Sequence, residues 1–357
     1  MKKISAALGA VACAVGAAAS AQSSVTVSGL VDLGISTGKD AAGVTQRTTQ
    51  MLSSGLTTSY LQFAGTEDLG GGLSAGFTLG TFFQPNNGVD GRFTGDTLFS
   101  RDASVNLAGG FGKVVIGRQI DPAFLPTILF NPFADSFDYS PLVFHTYLSG
   151  GGYNAPLYFT DSGYSNAVSY TSPSLGGATI SAAYQIGGIA GQTKQNDGIN
   201  VLYFGGPLAL TAFIESNELS NPVPSLLQAT PFPAAAYSKV TFYGAGASYD
   251  LSVVKFYANI EGAKYTGFTG SGSDKDKIYN LGLSVPLAGG SIMLDGAQTK
   301  LATGWTGTLS GAKWTTYALG YDYPLSKRTD VYVVDKDEKF TGLASANQFG
   351  VGIRHKF

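Results

Sequence analysis

One cysteine, Cys13, and two histidines, His145 and His355, occur in 357 residues. A lone thiol excludes a disulfide framework and a thiolate zinc site. Two imidazoles leave little material for metal binding or acid–base catalysis. Charge is scarce too: Asp, Glu, Lys and Arg make up 13% of the chain, against roughly 25% in a soluble domain. Formal net charge is -2, so the basic excess that nucleic acid demands is missing. No apolar run beyond the first twenty residues approaches the ~20 residues of a spanning helix. In place of charge the chain carries 49 glycines and 12% aromatics, while its hydrophobic fraction is an ordinary 44%. Such a composition suits a wall that is wet on one face and greasy on the other.

The first residues read as an export signal. Met1-Lys2-Lys3 is cationic, Ile4 to Ala19 is uncharged and Ala-rich, and Ala19-Ser20-Ala21 precedes Gln22 as a small-residue cleavage site. Residues 1–21 are therefore expected to be removed, leaving 22–357 as the mature domain. A membrane anchor is disfavoured by the short, Ala-rich run. A lipoprotein modified at Cys13 is the remaining alternative.

From Val25 onward the apolar residues alternate. Val25, Val27, Val31, Leu33 and Ile35 share one parity, and Thr26, Ser28, Asp32 and Ser36 the other. The same period of two returns at Leu73 to Leu79, Ala178 to Tyr184, Val254 to Ile260 and Tyr317 to Tyr323. Short turn sequences rich in Gly, Pro, Asp and Ser centre near residues 70, 110, 174, 206, 251, 288 and 325. A spacing of about 40 residues accommodates two strands of ~10, a tight turn and a long loop, the unit of a transmembrane barrel. Seven turns join fourteen strands, and a first and a last strand make sixteen. A soluble sandwich or a β-helix explains neither the alternating turn lengths nor the spacing.

The segments Gly65 to Leu73, Ile116 to Pro122, Tyr170 to Pro173, Tyr317 to Asp330 and Phe349 to Phe357 together resemble the general trimeric porins of Gram-negative outer membranes, of the β-proteobacterial type. The resemblance implies an all-β, sixteen-stranded antiparallel transmembrane barrel with an inward-folded third loop. It also implies a homotrimer and passive diffusion of small hydrophilic solutes and ions. The long gap between the turns near 110 and 174 holds about 25 residues more than its neighbours, and in porins that loop narrows the barrel. In the family the wall around residues 60–64 carries arginines. Here those positions read Tyr60-Leu61-Gln62-Phe63-Ala64, and of the wall cluster only Arg118 stands out.

From Gln119 to Thr193 there is no Lys or Arg, while Asp121, Asp135, Asp138 and Asp161 are present. Two readings stand side by side. Either Asp135 and Asp138 line the constriction and favour cations against Arg118, or they bond backbone N–H groups and brace the loop. The expected constriction set is Asp121, Asp135, Asp138, Tyr139, Arg118, Tyr60 and Gln62. The loop's aromatics, from Phe124 to Phe159, are read as packing anchors before a stacking track for solutes. Arg118 shares the parity of Val114 and Ile116, so only a bend at Gly117 would turn it inward, and Arg101 is placed at the rim by the same argument. Lys239, Lys255, Lys277, Arg354 and Lys356 are read as lumen-facing.

The expected partners are a second and third copy of the chain, outer-membrane lipid and lipopolysaccharide, the barrel-assembly machinery and small solutes, with no cofactor, metal or nucleic acid. Phe357, closing an apolar face with Phe349, Val351 and Ile353, resembles the signal that machinery reads. A substrate-specific porin is the main alternative. Further rivals are an adhesive barrel and an outer-membrane hydrolase using His145 with Ser100 or Ser136, although no serine sits in a nucleophile elbow.

Overall fold

The computed structural model describes residues 24–39, 45–93, 96–147, 161–186, 195–218, 239–267, 274–304 and 310–357. The expected export signal and Tyr153, Tyr158 and Phe159 lie outside these residues. The strands are β1 (Ser24–Gly38), β2 (Thr48–Ser53 and Tyr60–Gly70), β3 (Leu73–Gln84), β4 (Asp102–Gly109), β5 (Gly112–Ile120), β6 (Gly163–Thr171), β7 (Ala178–Gln185) and β8 (Asn196–Gly205). They continue as β9 (Leu208–Asn217), β10 (Lys239–Asp250), β11 (Lys255–Thr266), β12 (Lys275–Leu287), β13 (Gly290–Lys300), β14 (Lys313–Pro324), β15 (Thr329–Phe340) and β16 (Ala346–Lys356). A two-residue ribbon, Val89–Asp90, and two short helices, α1 (Phe124–Leu129) and α2 (Pro141–Tyr147), belong to loops.

Each strand pairs antiparallel with the next, and β1 closes on β16 from Leu30 opposite Lys356 to Gly38 opposite Gln348. Closure satisfies the edge strands, which a bilayer cannot do. All seven short turns fall where the sequence puts them, between β2 and β3, β4 and β5, and so on to β14 and β15. The alternation also holds. In β16, Phe349, Val351 and Ile353 are exposed while Gln348 and Gly350 are buried, so the apolar parity faces outward and the polar parity inward.

Two departures from regular pairing shape the interior. In β2, Ser53 pairs with Leu33 and Tyr60 with Leu30, so six residues, Ser54 to Ser59, stand opposite only Val31 and Asp32. The surplus backbone folds inward around the fully buried Asp32. Its carboxylate accepts from Leu56 N (2.7 Å), Thr57 N (2.9 Å) and the Tyr332 hydroxyl (2.7 Å). In β5, the register shifts between Gly117 and Gln119, and Gly117 sits at φ 126°, a conformation that glycine alone adopts without strain.

The polar face of the wall is covered by residues 121–147. Asn200 of β8 donates to Pro122 O, Asn259 of β11 to Phe130 O, and Lys336 of β15 to Asp138 O, each at 2.8 Å. These strands span half the circumference, and their opposite face is mainly apolar, with lysines toward the long-loop ends. The segment packs on the polar face of the wall. Its anchors are aromatic: Phe130, Phe133 and Tyr139 are almost wholly buried, the latter two among Leu52, Leu56, Met293, Tyr332 and Val334. Burying one such ring is worth about 2 kcal/mol, which explains why a segment with little regular structure holds a fixed path.

Candidate functional site: an arginine-lined cavity beside the loop

The bulge at Gly117 decides the site. Without it, Arg118 would share the outward parity of Ile116. With it, Arg118 and Gln119 are both buried and Ile120 returns to the exposed face. Arg118 Nε donates to Ser100 O (2.6 Å), one terminal nitrogen to Ser165 Oγ (2.9 Å), and the other to Asp161.

Arg101 is not at the rim. It precedes β4, stands 4.0 Å over the Tyr60 ring, donates to Gln62 Oε1 and pairs with Asp102 at 3.1 Å. A third guanidinium, Arg92, enters from the loop between β3 and β4. It bonds Asp96 (2.8 Å) and Asp161 and lies 5.2 Å from the Phe82 ring. Burial opposes its charge, yet Asp161 and Asp96 hold the Arg92 guanidinium above its ordinary pKa range.

These three arginines, with Tyr60, Phe137 and Asp135, line one cavity of about 90 Å³ between wall and loop. Asp96 and Asp161, with side chains almost wholly buried, stand outside its lining. A larger space of about 310 Å³ lies toward the short turns, lined by Asp102, Asn106, Lys113, Gln119, Ser169 and Asn200.

The expected constriction set thus divides. Arg118, Tyr60 and Asp135 line the cavity, and Gln62 supports it through Arg101. Asp135 accepts from the Thr57 hydroxyl at 3.1 Å, and burial pushes its carboxyl above the usual range. Asp121 turns elsewhere: it accepts from Ala123 N (2.9 Å), Phe124 N (2.7 Å) and the Tyr147 hydroxyl (3.0 Å), pinning the start of α1. Burial and then the neighbouring Glu215 charge push its carboxyl well up. Tyr139 is buried against the wall, its hydroxyl 2.0 Å from where a Cβ on Gly350 would stand. Asp138 is half-buried, and its carbonyl is the group that meets Lys336. Asp121 and Tyr139 brace the loop outside this cavity, and Asp121 also lines the larger space of about 310 Å³.

The hydrolase arrangement does not assemble. His145 is fully buried, bonded to the Thr299 (2.7 Å) and Thr316 (2.9 Å) hydroxyls, and stacked 3.8 Å from Trp314; burial lowers its pKa to about 3. Ser136 donates instead to Gly55 O at 2.6 Å. Among the described residues no group of three or more His, Cys, Asp and Glu side chains is placed to hold a metal. Two lysines read as lumen-facing are corrected: Lys239 and Lys277 share the outward parity of Tyr243 and Tyr279.

A closed antiparallel barrel, mainly apolar on one face and polar on the other, defines an outer-membrane β-barrel protein. The comparisons agree. A family model described as Gram-negative porin matches residues 6–342. Outer membrane porin protein 32 of Delftia acidovorans is 32% identical, covering 95% of this chain and 96% of that one. An outer membrane porin protein of Bordetella pertussis is 30% identical over 82% of this chain and 80% of its own. Among solved structures, an anion-selective porin from Comamonas acidovorans matches with TM-score 0.75 at 26% identity, covering 94% of this chain and all of that one. OmpT of Vibrio cholerae matches at TM-score 0.67 and 15% identity, over 95% and 98%, a likeness of fold alone. The chain belongs to the Gram-negative porin family, and its place is the outer membrane.

Proposed function

We propose that the protein forms a water-filled channel for passive diffusion of small hydrophilic solutes, assembled as a homotrimer, with residues 121–147 as its filter. The observation that carries this reading is the loop packed on the polar wall face beside a cavity bounded by Arg92, Arg101 and Arg118. Three guanidiniums facing a confined passage bias it toward anions, because a fixed charge acts more strongly there than on an open surface. The weak cation preference expected from four loop carboxylates gives way. Asp121 is engaged with α1, Asp161 is shared between two arginines and Asp138 stands outside the lining, leaving Asp135 as the carboxylate that lines the cavity. The anion selectivity named for the Comamonas porin supports the same direction.

A planar-bilayer recording in a potassium chloride gradient tests this. The intact pore should give a reversal potential on the anion side, Asp135→Asn should move it further that way, and Arg101→Gln should move it back. Raising salt from 0.1 to 1 M should flatten the preference as the Debye length falls from ~10 to ~3 Å. A cation-side potential in the intact pore would overturn the selectivity, and the absence of conductance would overturn the channel.

A further inference from the structure

Two carboxylates meet where the long loop leaves the wall, and no cation accompanies them. Asp121 follows β5 at the start of the loop, and Glu215 stands on β9; both are almost wholly buried. One donor serves both: Ala123 N lies 2.9 Å from Asp121 Oδ1 and 3.1 Å from Glu215 Oε2. Asp121 Oδ1 also accepts from Phe124 N and the Tyr147 hydroxyl, and Glu215 Oε1 accepts from Asn217 Nδ2 at 2.6 Å. Asp121 Oδ2, although buried, is left without a donor. Neither residue enters an ion pair among the described residues.

The groups packed around the pair do not neutralise it. Tyr147 of α2 already donates to Asp121, and Tyr164 of β6 donates to Asn217 at 2.9 Å. Asp197 of β8 and Glu261 of β11 add further carboxylates, the second held by the Thr146 hydroxyl at 2.6 Å. Asp102 of β4 and Lys113 of β5 share the 310 Å³ space with Asp121, and Lys113 is exposed to water. Two ionised carboxylates side by side inside a wall repel each other and lose their hydration, so such a pair keeps a proton. The two carboxyl groups stand within hydrogen-bond reach of each other. A hydrogen bond between them requires a proton on one, and that proton answers the single oxygen that has no other donor.

We propose that Asp121 and Glu215 hold one proton between them, donated to Asp121 Oδ2 from the Glu215 carboxyl, and that this proton latches the entry of the long loop to β9. That the latch regulates permeation rests on the filter role proposed above; the latch itself does not. When the proton passes to water, two negative charges compete for the Ala123 N–H and push loop and wall apart. The docked pair holds its proton at a pH where carboxyls in water, which ionise near pH 4, have lost theirs. Docking is therefore tightest in acid and weakens as pH rises, by up to about tenfold per pH unit while the proton is being released.

The test follows deuterium exchange of the loop amides by mass spectrometry in the assembled, detergent-purified protein at pH 6.5 and 8.5. Each rate is scaled to the intrinsic exchange rate at that pH. Protection around α1 should fall about tenfold in the intact protein. Asp121→Asn and Glu215→Gln each place an amide N–H where the proton lies, so both should keep their protection across the range, while Asp197→Asn should fall as the intact protein does. Infrared difference spectra at pH 6.5 should show a protonated-carboxyl stretch that Glu215→Gln removes. An equal fall in Glu215→Gln and the intact protein, the absence of that band, or protection restored at pH 8.5 by millimolar calcium would overturn the proposal. Unchanged heat-modified gel migration shows that each variant is assembled, and either amide variant alone suffices for the comparison. Conductance over the same pH range separates the two readings: protection that changes while conductance and reversal potential stay constant would overturn the filter and leave the latch.

Discussion

Gly350 of β16 faces Tyr139, and the pair gives a direct handle on how firmly the loop is seated. A Cβ on residue 350 would stand 2.0 Å from the tyrosine hydroxyl and 2.9 Å from Cζ, where ordinary contact begins at 3.4 Å. Gly350 pairs with Val334 on one side and Ser36 on the other, so the wall is tied by two ladders. The loop must give, by about 1.4 Å at the hydroxyl. Overpacking of that size typically costs about 1–3 kcal/mol. Tyr139→Phe removes the atom with the worse overlap and leaves a shortfall of about 0.5 Å at Cζ, so it should relieve more than half of the penalty. The four proteins of the cycle, intact, Gly350→Ala, Tyr139→Phe and the double variant, would be compared by guanidinium unfolding in detergent and by single-channel conductance. The expected result is a coupling of roughly 1 kcal/mol or more, with conductance altered in Gly350→Ala and returned toward the intact value in the double variant. Additive effects, or an alanine at 350 that changes neither readout, would refute the packing argument and with it the fixed seat of the loop.

Acid should loosen the same seat from another side. His145 is buried neutral, with a pKa near 3 against about 6.5 when exposed. The undocked state therefore binds the extra proton as pH falls from 6.5 toward 3. The stabilisation is complete above 6.5 and declines below it by up to about 1.4 kcal/mol per pH unit. Asp121, whose carboxyl burial raises, acts in the opposite sense. Protease access to the loop at pH 7.5 and 4.5 should accordingly rise more in the intact protein than in His145→Asn, and equal increments would dismiss the histidine. For the end of β16, we propose that Phe357 serves assembly, its backbone exchanging hydrogen bonds with Gly29 at 3.1 Å in both directions while its ring stays exposed. Deleting it should lower the folded yield in cells far more than the conductance of barrels that form; an undiminished yield would remove that role.

The fold was legible because period two and turn chemistry act locally. Val25, Ile180, Phe256 and Tyr317 all face outward as their alternation requires, and each of the seven turns announces itself in Gly, Pro, Asp or Ser. The site was legible only in part, for three physical reasons. A bulge breaks parity: nothing in the alternation says that Gly117 at φ 126° sends Arg118 inward, although a glycine inside a strand pattern is the signal to look for. Arg101 lies one residue before β4, where strand parity no longer binds it. Arg92 arrives from a loop whose path is set by contacts 69 residues away at Asp161, beyond any local pattern. The carboxylates were counted correctly but not their partners. Asp121 accepts from Ala123 N and Phe124 N at the start of α1, a partnership that no local pattern announces.

The excursion at Ser54 to Ser59 makes one strand both masonry and furniture. Thr57 reaches Asp135 at 3.1 Å and accepts from Arg354 at 3.1 Å, while Gly55 receives Ser136. Part of the cavity's lining, Thr58 and Tyr60, is thus drawn from β2 and its excursion rather than from the long loop. The excursion's length is independent of the loop's. Adding or removing residues between Ser53 and Tyr60 would reshape the cavity's edge without altering any short turn, while shifting the contacts that Gly55 and Thr57 make with Ser136 and Asp135. Two parts of separate origin, the β2 excursion and the long loop, meet at one cavity and are tied to each other there.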